Sequence, residues 1–165
     1  MRQIMQRPKT TSPDVLFLSL LGIGFFPYGP GTLASIVTMP LLYLLIKFNV
    51  SYYFFIPVFI LLSALAIYFS NQAQKKYIVH DPSWIVIDEF LGLMITYPFI
   101  SNTNFIHLII IFILFRFFDI IKIWPASYFD KKVKHGIGII FDDLVSGLMA
   151  VGVYSLFNFL TLQYL

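Results

Sequence analysis

The feature that most constrains this chain is a series of long apolar segments separated by short polar stretches. A helix that crosses a bilayer needs about 20 predominantly apolar residues, with about 17 as the lower limit. Five segments reach that length, namely residues 32–48, 52–70, 84–100, 105–121 and 137–160. A shorter apolar run, residues 15–26, ends at the turn-forming stretch PYGPG and predicts a short N-terminal interfacial helix. The sequence therefore predicts an all-α, polytopic membrane helical bundle in which residues 1–165 form a single domain.

The composition supports this class and excludes several others. Apolar residues make up 59% of the 165 residues and charged residues only 12%, which is more apolar surface than a soluble domain of this length can bury. The net charge is only +3 and the bases are scattered in small clusters, so we expect no nucleic-acid partner. Because the chain has no cysteine, disulfides, thiolate metal ligands and a cysteine nucleophile are excluded.

The basic clusters also predict the orientation of the chain in the membrane. With a cytoplasmic N-terminus, five alternating spans place all three clusters on the cytoplasmic side and leave only Lys47 on the other. The same arrangement brings polar motifs from four spans to the cytoplasmic face, where we expect them to surround one cavity. The clusters are Arg2, Arg7 and Lys9; Lys75 and Lys76; and Lys131, Lys132 and Lys134.

Two adjacent acids, Asp88 and Glu89, lie within the apolar stretch WIVIDEFLGLMI. Adjacent residues of a helix point about 100° apart, so both side chains can face one cavity. Carboxylates are preferred ligands of a hard cation such as Mg²⁺, which often joins protein carboxylates to a phosphate. A structural ion pair at the membrane interface is the alternative, but acids within membrane segments are usually functional. We therefore predict that this pair binds a metal ion.

A second acidic pair, Asp142 and Asp143, lies in the stretch GIGIIFDDLVSGLMA. Asp88 and Asp143 are each followed by a glycine four residues later, on the same helix face, where it allows close approach of another helix. Two acidic pairs on separate helices are what a metal site within a bundle requires, so we predict that all four acids are metal ligands. Helix capping is an alternative for Asp142 alone.

A third motif, FRFFDIIKIWP, places Arg116, Asp119 and Lys122 at intervals of three residues within one broad helix face. A structural ladder is the alternative, because these charges partly neutralise one another and long basic side chains can extend to the interface. Beside the two acidic pairs, we prefer a functional interpretation. Arg116 and Lys122 are predicted to bind a phosphate, and Asp119 is predicted to join the carboxylate cluster.

The stretch GFFPYGPGTLAS ends one apolar segment and begins another. Gly31 permits close backbone approach, and Thr32 is expected to be the N-cap of the helix that follows. The N–H groups at such a helix start form an anion site, so both residues are candidate substrate contacts. Taken alone, such a stretch is more often only a sharp turn. The glycine spacing matches neither a P-loop nor a dinucleotide-binding motif. Asp81 and Pro82 are predicted to begin the third span, and the histidines show no metal-ligand spacing.

Four stretches, taken together and in this order, resemble the bacterial phosphatidylglycerophosphatase A family: GFFPYGPGTLAS, DPSWIVIDEFLG, FRFFDIIKIWPASYFDK and GIGIIFDDLVSG. The resemblance implies a Mg²⁺-dependent, multi-pass phosphatase of the bacterial inner membrane with its active site on the cytoplasmic side. It implies a phospholipid substrate, phosphatidylglycerophosphate, which is hydrolysed to phosphatidylglycerol and phosphate. By motif, the family's acidic positions and its Arg-Asp-Lys helix match Asp88, Glu89, Asp142, Asp143, Arg116, Asp119 and Lys122.

The chemistry of the residues is compatible with this activity. A phosphomonoester dianion cannot bind directly to a cluster of acids, but it can bind to a divalent cation that the acids hold. The chain has no cysteine and no Asp-x-Asp nucleophile pair, so we expect attack by a metal-activated water rather than a covalent phospho-enzyme. The candidate catalytic carboxylates, none of them assigned as the general base, are Asp88, Glu89, Asp119, Asp142 and Asp143.

Two alternative functions would use the same acids. A small ion- or proton-coupled transporter also needs intramembrane acids, but it would place them near the middle of the bilayer rather than at one face. A phosphotransferase acting on nucleotide-activated lipids also needs metal-bound acids, but the Asp-Gly…Ala-Arg…Gly…Asp…Asp series expected of it is absent from the sequence.

The predicted orientation can be tested by labelling single cysteines introduced at residues 101–104, between the third and fourth predicted spans. Because five spans follow a basic N-terminus, we expect a membrane-impermeant thiol reagent to label these positions only from the non-cytoplasmic side. A cysteine in the segment 131–134 provides the control and should react only from the cytoplasmic side. Labelling of both segments from the same side would contradict the predicted orientation.

Overall fold

The computed structural model describes residue 8 and residues 10–77, 82–100 and 104–162. Within these ranges all the regular secondary structure is helical, which confirms the all-α class. Two 3₁₀-helices, Ile23–Phe25 and Tyr97–Phe99, accompany the α-helices. In chain order the α-helices are α1 (Pro13–Leu18), α2 (Pro30–Lys47), α3 (Tyr52–Tyr77), α4 (Ile87–Met94), α5 (Phe105–Ile121), α6 (Ala126–Lys132) and α7 (Gly136–Leu162).

Three of these helices are long and apolar enough to cross a membrane, among the residues that the structure describes: α2, α3 and α7. Helix α5 has the predicted bounds, and its 17 residues lie at the lower limit for a span. The structure thus supports a membrane helical bundle but does not confirm five spans.

The third predicted span, residues 84–100, is not one helix, and that prediction is wrong. Helix α4 has only eight residues and is about 12 Å long, less than half the thickness of a hydrocarbon core. After α4 ends, the Thr96 hydroxyl donates to the carbonyl of Leu93, and Pro98, which has no N–H, lies in the 3₁₀-helix that follows. The segment still reaches the opposite end of the bundle, because the Tyr97 hydroxyl donates to the carbonyl of Val50 between α2 and α3.

Most apolar residues of α4 are buried in protein. Helix α4 packs against α2 and α7, and Leu91 and Leu93 are fully buried. Helix α3 has the opposite character, since most of its apolar side chains are exposed; Tyr53, for example, is 94% exposed. A core helix and a largely exposed helix can thus both be rich in apolar residues, which explains why the sequence predicted both as spans.

Three further segments differ from the prediction, and one predicted boundary lies outside the described residues. Helix α3 continues seven residues past residue 70, through part of the stretch expected to be a polar connection. The second expected connection, residues 125–136, contains helix α6. The interfacial segment 15–26 is two short pieces, α1 and a 3₁₀-helix, because Leu20, Leu21 and Gly22 have positive φ angles that interrupt it. Asp81, expected to begin the third span, lies outside the described residues.

Helix α7 is the centre of the bundle and contacts α3, α4, α5 and α6. Its crossing with α4 is formed by two glycines, one from each helix. A Cβ atom on Gly147 would overlap the Gly92 carbonyl oxygen, and a Cβ on Gly92 would lie 2.8 Å from the carbonyl oxygen of Asp143. The expectation that these glycines allow close helix approach is confirmed, since only glycine fits at this crossing.

Alanine substitution tests the importance of this crossing for stability. Gly147→Ala should lower the thermal unfolding temperature of the detergent-solubilised protein, because overpacking of a tight contact typically costs about 1–3 kcal/mol. Gly152→Ala in the same helix is the matched control, since a Cβ there meets no atom within 4 Å. It should be neutral or stabilising, because alanine is favoured over glycine in a helix by about 1 kcal/mol. Equal unfolding temperatures for the two variants would contradict a tight crossing.

Candidate metal and phosphate site

A polar cavity of about 280 Å³ lies among the ends of α2, α4, α5 and α7, beside α6. All nine residues that the sequence singled out for the site line it, and they come from four separate helices or their ends. They are Gly31, Thr32, Asp88, Glu89, Arg116, Asp119, Lys122, Asp142 and Asp143. The prediction that these motifs surround one cavity is therefore confirmed, whereas the role of each residue remains a prediction.

Three carboxyl groups in the cavity lie close enough to share one cation. One oxygen from each of Asp88, Glu89 and Asp143 lies within 4.8 Å of the other two. Asp88 Oδ1, Glu89 Oε2 and Asp143 Oδ2 are buried and have no hydrogen-bond partner within the described part of the chain. Buried carboxylate oxygens normally have hydrogen bonds or a cation as partners. These three residues thus fit a hard divalent cation, which prefers oxygen ligands.

The crossing of α4 and α7 brings these acids together. Asp88 lies one helical turn before Gly92, and Asp143 lies one turn before Gly147, so the close contact of the two glycines places both acids on facing surfaces. On the other side of the cavity, a Cβ atom on Gly31 would overlap the carboxylate of Glu89. The first turn of α2 therefore lies directly against the acidic cluster, as the expected close backbone approach at Gly31 requires.

Arg116 on α5 connects the acidic cluster to the beginning of α2. Its Nη1 lies 2.5 Å from Asp119 Oδ2 and 4.0 Å from Glu89 Oε1. Its Nη2 donates to Thr32 Oγ1 at 3.1 Å, and its Nη1 donates to Ser35 Oγ at 3.4 Å. Ser35 was not singled out in the sequence, although it lies within the GFFPYGPGTLAS motif. The guanidinium group is thus held at the cavity wall by contacts on two sides.

The expected N-cap role of Thr32 is wrong. Helix α2 begins at Pro30, and Gly29 is its N-cap, with a φ of 56° in the left-handed region that suits glycine. Proline is favoured at the first position of a helix because its fixed φ fits the helix and its missing N–H is not needed there. Thr32 lies in the first turn instead, where its hydroxyl accepts a hydrogen bond from Arg116.

Lys122 lies at the C-terminal end of α5 between two carboxylates. Its Nζ lies 2.6 Å from Asp130 Oδ1 on α6 and 2.5 Å from Asp142 Oδ2 on α7. Burial by itself lowers the pKa of the Lys122 ammonium, but the carboxylates of Asp142 and Asp130 outweigh it and raise the pKa above its usual value. Lys122 is therefore a fixed positive charge that links three helices.

The contact with Lys122 separates Asp142 from the other predicted metal ligands. Its neighbour Asp143 belongs to the group of three carboxyl groups, whereas Asp142 does not. Adjacent helical residues diverge by about 100°, so the pair faces two different partners. Asp130 was missed in the sequence, although it lies within the ASYFDK part of a quoted motif and only eight residues after Lys122.

The charges lining the cavity are strongly unbalanced. Six carboxyl groups face two basic groups, because Asp130 joins the five predicted acids while Arg116 and Lys122 are the bases. Arg116 and Lys122 are both engaged by carboxylates, so little positive charge remains for an anion. With all six carboxyl groups ionised, the cavity would repel a phosphate dianion, and a bound divalent cation would offset that negative charge.

Comparison with known proteins identifies a family to which the sequence is similar. Residues 16–158 match the family model described as Phosphatidylglycerophosphatase A. The chain is 33% identical over 147 residues to a protein of that name from Escherichia coli strain K12, covering 89% of this chain and 84% of the relative. It is 36% identical over 100 residues to a second protein of that name, from Haemophilus influenzae, covering 58% of this chain and 61% of the relative.

A third relative has a different description. This protein from Bacteroides thetaiotaomicron, described provisionally as a phosphatidylinositol-3-phosphatase, is 31% identical over 150 residues, which cover 87% of this chain and 91% of the relative. No solved protein structure is significantly similar to the chain. The match of the family model over most of the length, together with the relative from E. coli, shows that the chain belongs to the phosphatidylglycerophosphatase A family.

Proposed function

We propose that this protein is a lipid phosphatase that hydrolyses phosphatidylglycerophosphate to phosphatidylglycerol and phosphate at the cytoplasmic face of the bacterial inner membrane. The names of the relatives from E. coli and H. influenzae support the substrate. The observation that carries the proposal is the group formed by Asp88, Glu89 and Asp143, which lies beside Arg116 and the first turn of α2 in one cavity. Metal-ligating carboxylates next to phosphate-binding groups are what hydrolysis of a phosphomonoester requires.

Mg²⁺ is the cofactor that we propose, held by Asp88, Glu89 and Asp143. The fit rests on three unpartnered, buried carboxylate oxygens, and oxygen is the ligand that Mg²⁺ prefers. When bound, the cation would neutralise charge on the phosphate oxygens and lower the pKa of a coordinated water. Asp142, predicted from the sequence as a fourth ligand, is proposed instead to orient Lys122, because the contact between these two side chains occupies one of its oxygens.

The phosphate is proposed to bind between Arg116 and the start of α2. The N–H groups of Gly31 and Thr32 belong to the first helical turn, where amides have no partner within the helix and attract anions. Arg116 supplies a planar, permanently charged donor group, and its Nε has no hydrogen-bond partner among the described residues. Asp119 and Ser35 hold the guanidinium in place, so its positioning requires little rearrangement when the substrate binds.

In the proposed reaction, a water oxygen attacks the phosphorus and the bond from phosphorus to the glycerol oxygen breaks. A cavity carboxylate accepts the proton of the water, and the released glycerol oxygen takes up a proton to become the hydroxyl of phosphatidylglycerol. Asp119 and Asp142 are candidates for these proton transfers, because both line the cavity outside the group of three proposed ligands. Lys122 and Arg116 stabilise the negative charge that develops on the phosphate oxygens.

The relative from B. thetaiotaomicron introduces a second candidate substrate, a phosphoinositide phosphomonoester. The reaction would be the same, since both lipids carry a terminal phosphate monoester, and only the group beyond the phosphate differs. Phosphate release from the two lipids by the purified protein, each at equal surface concentration in mixed micelles, distinguishes them. A higher kcat/KM for phosphatidylglycerophosphate is expected, and a preference for the phosphoinositide would contradict the proposed substrate.

Neutral replacements of Asp88 and Glu89 test the catalytic role of these acids. Asp88→Asn and Glu89→Gln should fold at least as well as the parent, because each removes a charge from a crowded acidic cluster. Phosphate release should fall by about a hundredfold or more, the cost of losing about 3 kcal/mol of transition-state stabilisation. Asp14→Asn is the control, since Asp14 pairs with Lys76 away from the cavity, and it should keep full activity. Unstable variants with normal turnover per folded molecule would show a structural role instead.

Thermal stabilisation by Mg²⁺ tests the proposed ligand set without measuring activity. Mg²⁺ at about 100 times its dissociation constant should stabilise the parent by about 2.7 kcal/mol, seen as a higher unfolding temperature. The shift should disappear in Asp143→Asn and persist in Asp142→Asn, because only Asp143 belongs to the group of three carboxyl groups. Loss of the shift in both variants would restore Asp142 as a ligand. No shift in the parent, or a shift that persists in Asp143→Asn, would contradict the proposed ligand set.

A further inference from the structure

A second depression, larger than the polar cavity, adjoins it on the side of the N-terminal segment. Its volume is about 570 Å³, which lies within the range of pockets that bind small molecules. Phe25, Phe26 and Trp84 form much of its lining, and no charged side chain lines it within the described part of the chain. We refer to this depression as the aromatic groove.

The aromatic groove and the polar cavity share two residues of their walls. Pro30, the first residue of α2, and Ser83, which precedes Trp84, line both. A molecule that places its phosphate in the polar cavity can therefore extend past Pro30 and Ser83 into the groove. The composition changes sharply at this boundary, from six acids and two bases on one side to uncharged and aromatic residues on the other.

The wall of the groove is held by specific contacts. The rings of Phe25 and Trp84 are stacked, with centroids 5.9 Å apart and an interplanar angle of 14°. A Cβ atom on Gly24 would overlap the carbonyl of Trp84, so the 3₁₀-helix lies directly against the residues that precede α4. The N–H of Val86 donates to the carbonyl of Leu18, so the end of α1 is also joined to the residues that precede α4. The groove is thus a formed surface, and half-exposed Phe26 lies on it.

We propose that the aromatic groove binds the lipid part of the substrate, the glycerol and acyl portion beyond the reacting phosphate. This inference rests on the proposed function. A phospholipid is charged at one end and apolar at the other, and the two adjoining depressions have the same polarity in the same order. Tryptophan and phenylalanine supply apolar contact area, and tryptophan is typical of the membrane–water boundary where a lipid headgroup lies. Phe26 and Trp84 would then select membrane lipids over soluble phosphomonoesters.

The kinetic test compares two substrates with the same terminal phosphate, phosphatidylglycerophosphate in mixed micelles and water-soluble glycerol phosphate. Phe26→Ala should lower the ratio of kcat/KM for the lipid to that for glycerol phosphate by about tenfold, the effect of losing one good aromatic contact. Phe99→Ala is the matched control, because Phe99 is 51% exposed compared with 48% for Phe26 but belongs to the 3₁₀-helix after α4 and does not line the groove. An unchanged ratio in Phe26→Ala, whether both activities fall together or neither falls, would overturn the proposal.

A cross-linking test does not depend on turnover. Benzoylphenylalanine is introduced at position 26 or 99, and the protein is placed in phosphatidylcholine vesicles that contain a minor fraction of a non-hydrolysable phosphonate analogue of the lipid. At position 26 the cross-linked lipid should be enriched in the analogue relative to the vesicle, whereas position 99 should report the vesicle composition. The proposal would be overturned if the cross-linked lipid had the composition of the vesicle at both positions. It would also be overturned if position 26 cross-linked to the chain's own first seven residues.

The two tests separate failure of the groove from failure of the proposed function. If the parent protein releases no phosphate from phosphatidylglycerophosphate, the proposed function is contradicted, and the cross-linking result alone decides whether the groove binds a lipid phosphomonoester. If the parent is active and the ratio is unchanged in Phe26→Ala, the function stands and the groove assignment is wrong.

Discussion

The site depends on the close crossing of α4 and α7, where Gly92 and Gly147 meet without side chains between them. Carboxyl groups repel one another when they are ionised, and burial increases this cost, so their own interactions would separate them. The packing of buried apolar residues around the crossing opposes that separation; Leu91, Leu93 and Ala150 are all fully buried. The apolar core thus supplies the free energy that keeps Asp88 and Asp143 close. A cation between them would offset the repulsion between the ionised carboxylates.

Much of the site could be predicted from the sequence because its residues are chemically unusual where they occur. Charged residues are rare in apolar segments, so Asp88, Glu89, Arg116 and Asp143 are conspicuous in the sequence alone. The alternating direction of successive spans then predicts that motifs far apart in the chain lie together. The glycine four residues after each of Asp88 and Asp143 also correctly indicates where α4 and α7 cross. Helical periodicity places the acid and its glycine on the same face.

The parts that could not be predicted depend on tertiary contacts. Hydropathy does not distinguish a buried helix from one that faces lipid, so α4 was expected to be a full span although it has eight residues. The sequence also does not show in which direction each side chain of an adjacent pair points. It therefore groups Asp142 with Asp143, although Asp142 pairs with Lys122 in the structure. Asp130 and Ser35 could not be predicted as site residues, because an acid in a polar stretch and a serine in a helix are common. Their contacts with Lys122 and Arg116 place them at the site.

Helix α3 is longer than the hydrocarbon layer that it would cross. Its 26 residues extend about 39 Å, compared with about 30 Å for a typical bilayer core. The apolar part, residues 52–70, extends about 29 Å and matches that layer, so the polar end, residues 71–77, projects beyond it. Helix α1 is attached to that end, because Asp14 pairs with Lys76 and the rings of Phe17 and Phe69 are in contact. Because α1 is also joined to the start of α4, direct contacts connect the projecting end of α3 to the helix that carries Asp88 and Glu89.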